Sequence, residues 1–434
     1  MAEQQGIPRD PRTKYHFKRE EFDFFFQWLV GASTHGGSEG GESFYAASQI
    51  EEGDVASWNR AWTALAERVA ARGEASRDGD HRVSARESFL RAYTYHRAPL
   101  MFISPLDEPG RYRRRYEQAR AYFRQAMSLF DPPIEPIDVP FEGATLPGYF
   151  VRADERDAPR KTLIMIGGGD TFVEDLYAYI VPAATKRGYH VLMVDLPGQG
   201  ILPFEGLTWR ADAEAPMAAV VDHALDRPEV DPERLAAYGI SGGGYLVPRA
   251  ITREKRIKAA VACSAILDFT QVWDEDFIAL HEKAERSLFY RAVKRFMQWY
   301  RGPYFTLVDT YVWRFGADSV PGLIDASKDC VVDPTQITTP LLNVLSEQEG
   351  AESSSIRAAA ERCERAVPHP QHRRVVMPQD EGADSHAIGT NLSLMSQVVF
   401  DWLDERWTAL GPSADRSARS PARTARREEP AERR

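Results

Sequence analysis

The chain has 434 residues, 43% of them hydrophobic, which is enough for one large domain and a smaller companion with a real core. A net charge of −10 speaks against nucleic-acid binding. Three widely spaced cysteines, Cys263, Cys330 and Cys363, form no CxxC pair, which argues against a disulfide framework or thiolate metal site and fits a reducing cytoplasm. The polar stretch Met1 to Lys14 has no apolar leader, and no apolar run is long enough for a membrane span, so neither a secretory signal nor a membrane partner is expected.

Taken in chain order, residues 1–18 read as a flexible arm and 19–131 as an all-helical domain. Arg19 to Val30 is helical and aromatic, with Phe22, Phe25, Phe26 and Trp28. Gly31 to Gly41 reads as a loop. A second helix starts after Asp54 as N-cap and carries Trp58, Trp62, Leu65 and Val69 on one face. A third runs from about Val83 to His96 and a fourth from Arg111 to Phe130. These stripes are packing surface first.

Asp131-Pro132-Pro133 and Pro136 break that pattern. Ile134 to Val139 and Leu146 to Val151 alternate around Gly143 as an antiparallel hairpin. Apolar strands at Thr162–Ile166, His190–Val194 and Arg234–Ile240 then alternate with helices, which predicts a mostly parallel sheet covered on both faces. A strand at Ile257–Cys263 precedes a helical lid insertion, 268–333, bearing Trp273, Phe277, Leu280, Phe289, Phe296, Trp299, Tyr300, Tyr304 and Trp313. Its acidic start, Asp274-Glu275-Asp276, reads as solvated. The sheet resumes at Pro340–Leu345, ends at Arg374–Met377 and is closed by a last helix. The layout is 132–267 plus 334–408 for the α/β domain, and 409–434 for a disordered tail.

The chemistry centres on Gly239-Ile-Ser-Gly-Gly243. This Gly-x-Ser-x-Gly, placed between an apolar strand and a helical pattern, is the form of a nucleophile elbow presenting Ser241. A serine needs a general base, which in this architecture follows the last strand. Of ten histidines, His386 lies there, whereas His369 and His372 precede the strand. The acid follows Leu345 in a loop: counting from Ser346 favours Glu349, with Glu347, Asp333 and Asp268 as alternatives. Oxyanion donors are expected at the Gly242 amide and, from the loop Gly167-Gly168-Gly169-Asp170-Thr171, at Asp170 or Thr171. A phosphate-binding reading of that loop lacks the GxGxxG and GxxxxGK[ST] spacings. Asp195-Leu-Pro-Gly-Gln-Gly200 reads as a structural turn.

Gly167–Asp170, Asp195–Gly200, Gly239–Tyr245, Gly382-Ala-Asp-Ser-His386, Asp401-Trp402-Leu403, Ser57-Trp58 and Ser84-Ala85-Arg86 together resemble the α/β-hydrolases with an N-terminal helical domain. That group is typified by 2,6-dihydropseudooxynicotine hydrolase, and fungal enzymes that shorten polyketide chains look like its relatives. The resemblance covers about residues 20–405. It implies a serine triad, a cavity between the helical and hydrolase domains for a small-molecule substrate, and, as often in that group, a homodimer; no cofactor is expected. It also implies cleavage of carbon–carbon bonds in β-diketone-like compounds, or of esters and acyl groups. Glu349 departs from the commoner aspartate. Acyl transfer or cyclisation, in natural-product biosynthesis for example, and a non-catalytic binding role are the competing expectations.

Overall fold

The computed structural model describes residues 12–156, 158–273 and 302–410, with 279, 281–283, 287–289, 292, 293, 295 and 296 between them. Residues 1–11, the tail from 411 onward, and Asp274, Glu275, Asp276, Phe277, Leu280, Trp299 and Tyr300 of the insertion lie outside the described residues, as does the side chain of Tyr304.

The helical segment comprises α1 (Glu20–Gly31), α2 (Gly40–Ala47), α3 (Val55–Asp78), α4 (Arg82–Arg97) and α5 (Pro109–Ser128). Asp54 caps α3 by accepting from the amides of Ala56 and Ser57. Helix α2 starts at the end of the stretch read as a loop, overlapping it at Gly40 and Gly41. The two glycines that open it, Gly40 and Gly41, are poor helix formers that the first turn tolerates. Residues 12–18 are also not a loose arm. The buried Asp23 carboxylate gathers the amides of Tyr15, His16 and Phe17, Phe17 is buried, and Arg12 pairs with Glu352.

The eight strands are β1 (Glu135–Phe141), β2 (Ala144–Val151), β3 (Arg160–Ile166), β4 (His190–Val194), β5 (Val230–Ile240), β6 (Ala259–Cys263), β7 (Leu341–Ser346) and β8 (Arg373–Met377). They lie in the order β1-β2-β4-β3-β5-β6-β7-β8. The β1–β2 and β2–β4 pairs are antiparallel and the others parallel. The strands β4, β6 and β7 are buried at every residue, as a sheet covered on both faces requires.

One face is covered by α7 (Glu214–Leu225), α8 (Gly243–Ile251), and α9 (Gly302–Arg314) and α10 (Val320–Ser327) of the insertion. The other packs on α6 (Asp175–Thr185) and the closing helix α13 (Leu392–Ala409), and also on Phe89, Tyr93, Phe123 and Met127 of α4 and α5. The helical segment thus shares a core with the sheet, while Phe22, Phe26, Trp58 and Trp62 form a second core within it. Two further helices, α11 (Glu347–Glu352) and α12 (Ser354–Ala366), follow β7. No helix among the described residues is long and apolar enough to cross a membrane.

Candidate active site

Strand β5 ends at Ile240, and α8 begins three residues later. The turn between them forces Ser241 to φ 52°, a left-handed conformation that costs a non-glycine residue about 1 kcal/mol or more. The Ser241 amide is held by the Cys263 carbonyl at 2.6 Å. A side chain at Gly239 would run into the Gly243 carbonyl, which is the crowding the motif's spacing anticipates.

Ser241 Oγ lies 2.9 Å from His386 Nε2, and His386 Nδ1 lies 2.7 Å from Glu349 Oε1. The carboxylate accepts a hydrogen bond from the Nδ1–H, which leaves Nε2 to accept from the serine hydroxyl. The three residues follow the ends of β5, β7 and β8. Ser241 is 6% exposed, His386 5% and Glu349 0%.

Glu349 is not in a loop. It is the third residue of α11, where Ser346 and Glu349 form a reciprocal capping box. Its Oε2 accepts from the Ser346 amide at 2.9 Å and from the Ser264 hydroxyl at 2.8 Å, while Oε1 faces His386. Burial works to raise its pKa. The hydrogen bond and charge of His386, the Ser346 amide and the Ser264 hydroxyl outweigh burial and hold the carboxyl below its ordinary value. The structure separates the alternatives from this line. Glu347 is exposed and accepts from the Gln379 amide, while Asp268 and Asp333 cap short 3-10 turns through Thr270 and Thr335. The role of Ser264 is not visible from the sequence, because its partner is 85 residues away. The Ser-x-x-Glu box at 346–349 is a signal that would have marked the helix start.

His386 opens a tight turn in which Ala387 and Ile388 both have positive φ, 58° and 54°. Two contacts hold this turn. Tyr179 donates its hydroxyl to the Ala387 carbonyl at 2.6 Å. Helix α1 packs so closely that a side chain at Gly31 would run into the Gly389 carbonyl. The Phe24 ring, also from α1, stands 6.4 Å from the imidazole.

The glycine loop after β3 faces the serine. A Cβ at Gly168 would lie 3.1 Å from Ser241 Oγ, and one at Gly242 would lie 2.8 Å from the Gly169 amide nitrogen. Side chains here would fill the space beside the nucleophile. The carbonyls of the next two residues are tied into the protein: the Asp170 carbonyl accepts from Arg97 and the Thr171 carbonyl from Arg314, while Thr171 Oγ1 accepts from the Gly168 amide at 2.7 Å. Over Gly169 stands Tyr311 of α9, its hydroxyl 2.5 Å from where a Cβ would be. Trp209 and Trp273 extend this aromatic roof, Trp209 lying 2.9 Å from a Cβ placed at Gly242 and Trp273 packing edge-on against Tyr311. A small pocket lies behind the His386 turn, lined by Trp28, Tyr93, Thr94, Tyr179, Gly389 and Leu392, and Ser241 is not part of its wall. No group of three or more metal-ligating side chains occurs among the described residues.

A serine at a strand–helix elbow on a largely parallel eight-stranded sheet, with a histidine beyond the last strand, defines the α/β-hydrolase fold. Residues 177–309 match the model of the prolyl oligopeptidase family. The chain is similar to the hydrolase ORFZ of Pyricularia oryzae, 35% identical over 274 residues that make up 60% of this chain and 64% of that one. It is also similar to the 20-hydroxy-prefusarin hydrolase FUS2 of Gibberella moniliformis, 33% identical over 59% of this chain and 63% of that one. The matched stretch therefore spans less than two thirds of these curated relatives. In fold it resembles the crystal structure of 2,6-dihydroxy-pseudo-oxynicotine hydrolase, with a TM-score of 0.69 at 18% identity, covering 89% of this chain and 97% of that one. AbyA5 is also similar, with a TM-score of 0.57 at 18% identity, covering 89% of this chain and 98% of that one.

Proposed function

We propose that the protein is a serine hydrolase that cleaves a carbon–carbon, ester or acyl bond of a small, largely apolar carbonyl compound. The observation that carries this reading is the unbroken hydrogen-bond line from Ser241 Oγ through His386 to a buried, ionised Glu349. Ser241 attacks the carbonyl as His386 takes its proton, and Glu349 stabilises the imidazolium that forms. The oxyanion rests on the Gly242 amide and on that of Gly169, one residue earlier in the loop than Asp170 or Thr171, because the Gly169 amide nitrogen adjoins Gly242. His386 then gives its proton to the leaving group, which is an alcohol or amine, or an enolate where a carbon–carbon bond breaks. Water, activated by the same imidazole, releases the acyl group. The apolar substrate is supported by the rings of Phe24, Trp209, Trp273 and Tyr311, which stand around the base and the glycine loop. Similarity to FUS2 supports a biosynthetic intermediate as the substrate.

Ser241→Ala is expected to remove fluorophosphonate labelling and to lower turnover by on the order of 10⁴-fold or more, with an unchanged melting temperature. Full activity in this variant sinks the reading. A second reading, acyl transfer or cyclisation, is favoured by the near-complete burial of Ser241 and His386, since a dry site suppresses hydrolysis. Turnover in heavy-oxygen water separates the two, because hydrolysis puts the label in the acid product and transfer leaves it out.

A further inference from the structure

Asp195-Leu-Pro-Gly-Gln-Gly200 takes no part in the serine chemistry, yet its Gln199 is 0% exposed and aimed at the oxyanion loop. Gln199 Nε2 donates to the Gly167 carbonyl at 2.6 Å and to the Gly168 carbonyl at 3.1 Å, while Oε1 accepts from the Leu196 amide at 2.9 Å. These partners permit one orientation of the amide: the nitrogen sits among acceptors and the oxygen meets a donor.

The next two carbonyls with side-chain partners are held by buried arginines from opposite sides. Arg97 of α4 donates Nη2 to the Asp170 carbonyl at 2.7 Å, and Arg314 of α9 donates Nη2 to the Thr171 carbonyl at 3.1 Å. Arg97 is anchored to Asp175 and Arg314 to the Gly198 carbonyl. The two are 5% and 0% exposed, and both guanidinium groups lie against the Phe172 ring, at 4.5 and 5.9 Å from its centre. Four carbonyls of one short loop are thus bound by three buried side chains from three parts of the chain.

A trans peptide points its N–H opposite to its C=O. Holding the Gly168 carbonyl therefore sets the direction of the Gly169 N–H, the group that adjoins Gly242. We propose that Gln199, Arg97 and Arg314 are positioning residues that aim the oxyanion loop at Ser241, with Gln199 setting the Gly169 amide directly. This rests on the serine-hydrolase reading and deepens it. It also makes both helical regions part of the site: α4 and α9 each supply one brace. Preorganised donors of this kind act when charge develops on oxygen, so their loss appears in turnover rather than in binding.

The test compares p-nitrophenyl butyrate with its thionoester in wild type, Gln199→Met and Arg314→Lys. Sulfur is a poor hydrogen-bond acceptor, so a well-aimed donor favours the oxygen ester and a displaced one does not. Gln199→Met keeps the side-chain length and loses both donors. It is expected to lower kcat for the ester by on the order of 10²-fold with little change in KM, and to shrink the ester-to-thionoester ratio at least several-fold. Arg314→Lys keeps the charge and can reach only one of the two carbonyls, so it is expected to fall between wild type and Gln199→Met. If Gln199→Met does not fold, Arg314→Lys alone decides. Equal losses on both substrates, or no loss, overturn the proposal while leaving the serine reading intact. A wild-type enzyme that fluorophosphonate does not label at Ser241 overturns the serine reading and this inference with it.

Discussion

Glu349 concentrates the electrostatics of the site. Three donors besides burial act on one carboxylate, and their sum favours the charged form. A carboxyl depressed on folding contributes stability that is fully present above its unfolded value of 4.5 and is lost as pH falls through the lower folded value. Glu349→Gln removes that component. It is expected to flatten the acid limb of the unfolding curve and to lower turnover by on the order of 10⁴-fold, because the imidazole loses its ionic partner. Ser264→Ala deletes a single donor to the carboxylate. Its acid-unfolding midpoint is expected to move to higher pH, while labelling of Ser241 persists at neutral pH. A midpoint that stays put would mean the Ser264 hydroxyl does not stabilise the ionised form. At this scale the sequence is informative about order: serine, acid and histidine stand beyond β5, β7 and β8 in that order because the chain winds that way. It is silent about Ser264, Gln199, Arg97 and Arg314, whose partners are set by packing between distant segments.

Among the elements, α1 joins the helical segment to the chemistry. Its last residue, Gly31, has no room for a side chain against the turn that carries His386. Gly31→Ala is expected to lower stability by about 1–3 kcal/mol and to reduce turnover, since either the helix or the turn must shift. Asp54→Ala, which removes the α3 cap far from that turn, is expected to cost about 1 kcal/mol and leave turnover alone. Thermal melts and esterase assays on both variants separate the two effects. If Gly31→Ala melts lower yet turns over normally, α1 is a cover and not a brace for the base. The buried strands were legible as continuous apolar runs, and the long helices by their period. Short helices such as α2 and α11 were not, because glycines open one and a single turn and a half forms the other.

At the level of the whole molecule, the sheet is sealed by segments from both ends of the chain. Phe89, Tyr93, Phe123 and Met127 cover the same face as Phe400, Trp402 and Leu403. A smaller cluster joins Tyr112 and Tyr116 of α5, Phe172 beside the glycine loop and Trp313 of α9. Residues 132–410 produced alone would expose that face and are expected to aggregate, whereas the full chain is expected to unfold in one cooperative transition. Calorimetry with two resolved transitions would contradict the shared core. Composition and period separate a helical segment from an α/β segment in the sequence. They do not report that the two bury one another.

The capping box at Ser346 and Glu349 has a consequence for how this protein can change. Catalytic carboxylates are usually held at a cost to the fold, so replacing them tends to make a protein more robust. Here the group that serves the imidazole also closes the first turn of a helix and answers one further donor, the Ser264 hydroxyl. A shorter side chain loses cap and partner together, and a neutral one of the same length loses the ionic partner. Selection for robustness and selection for activity therefore pull in the same direction at position 349, and a library screened only for heat resistance should retain glutamate there.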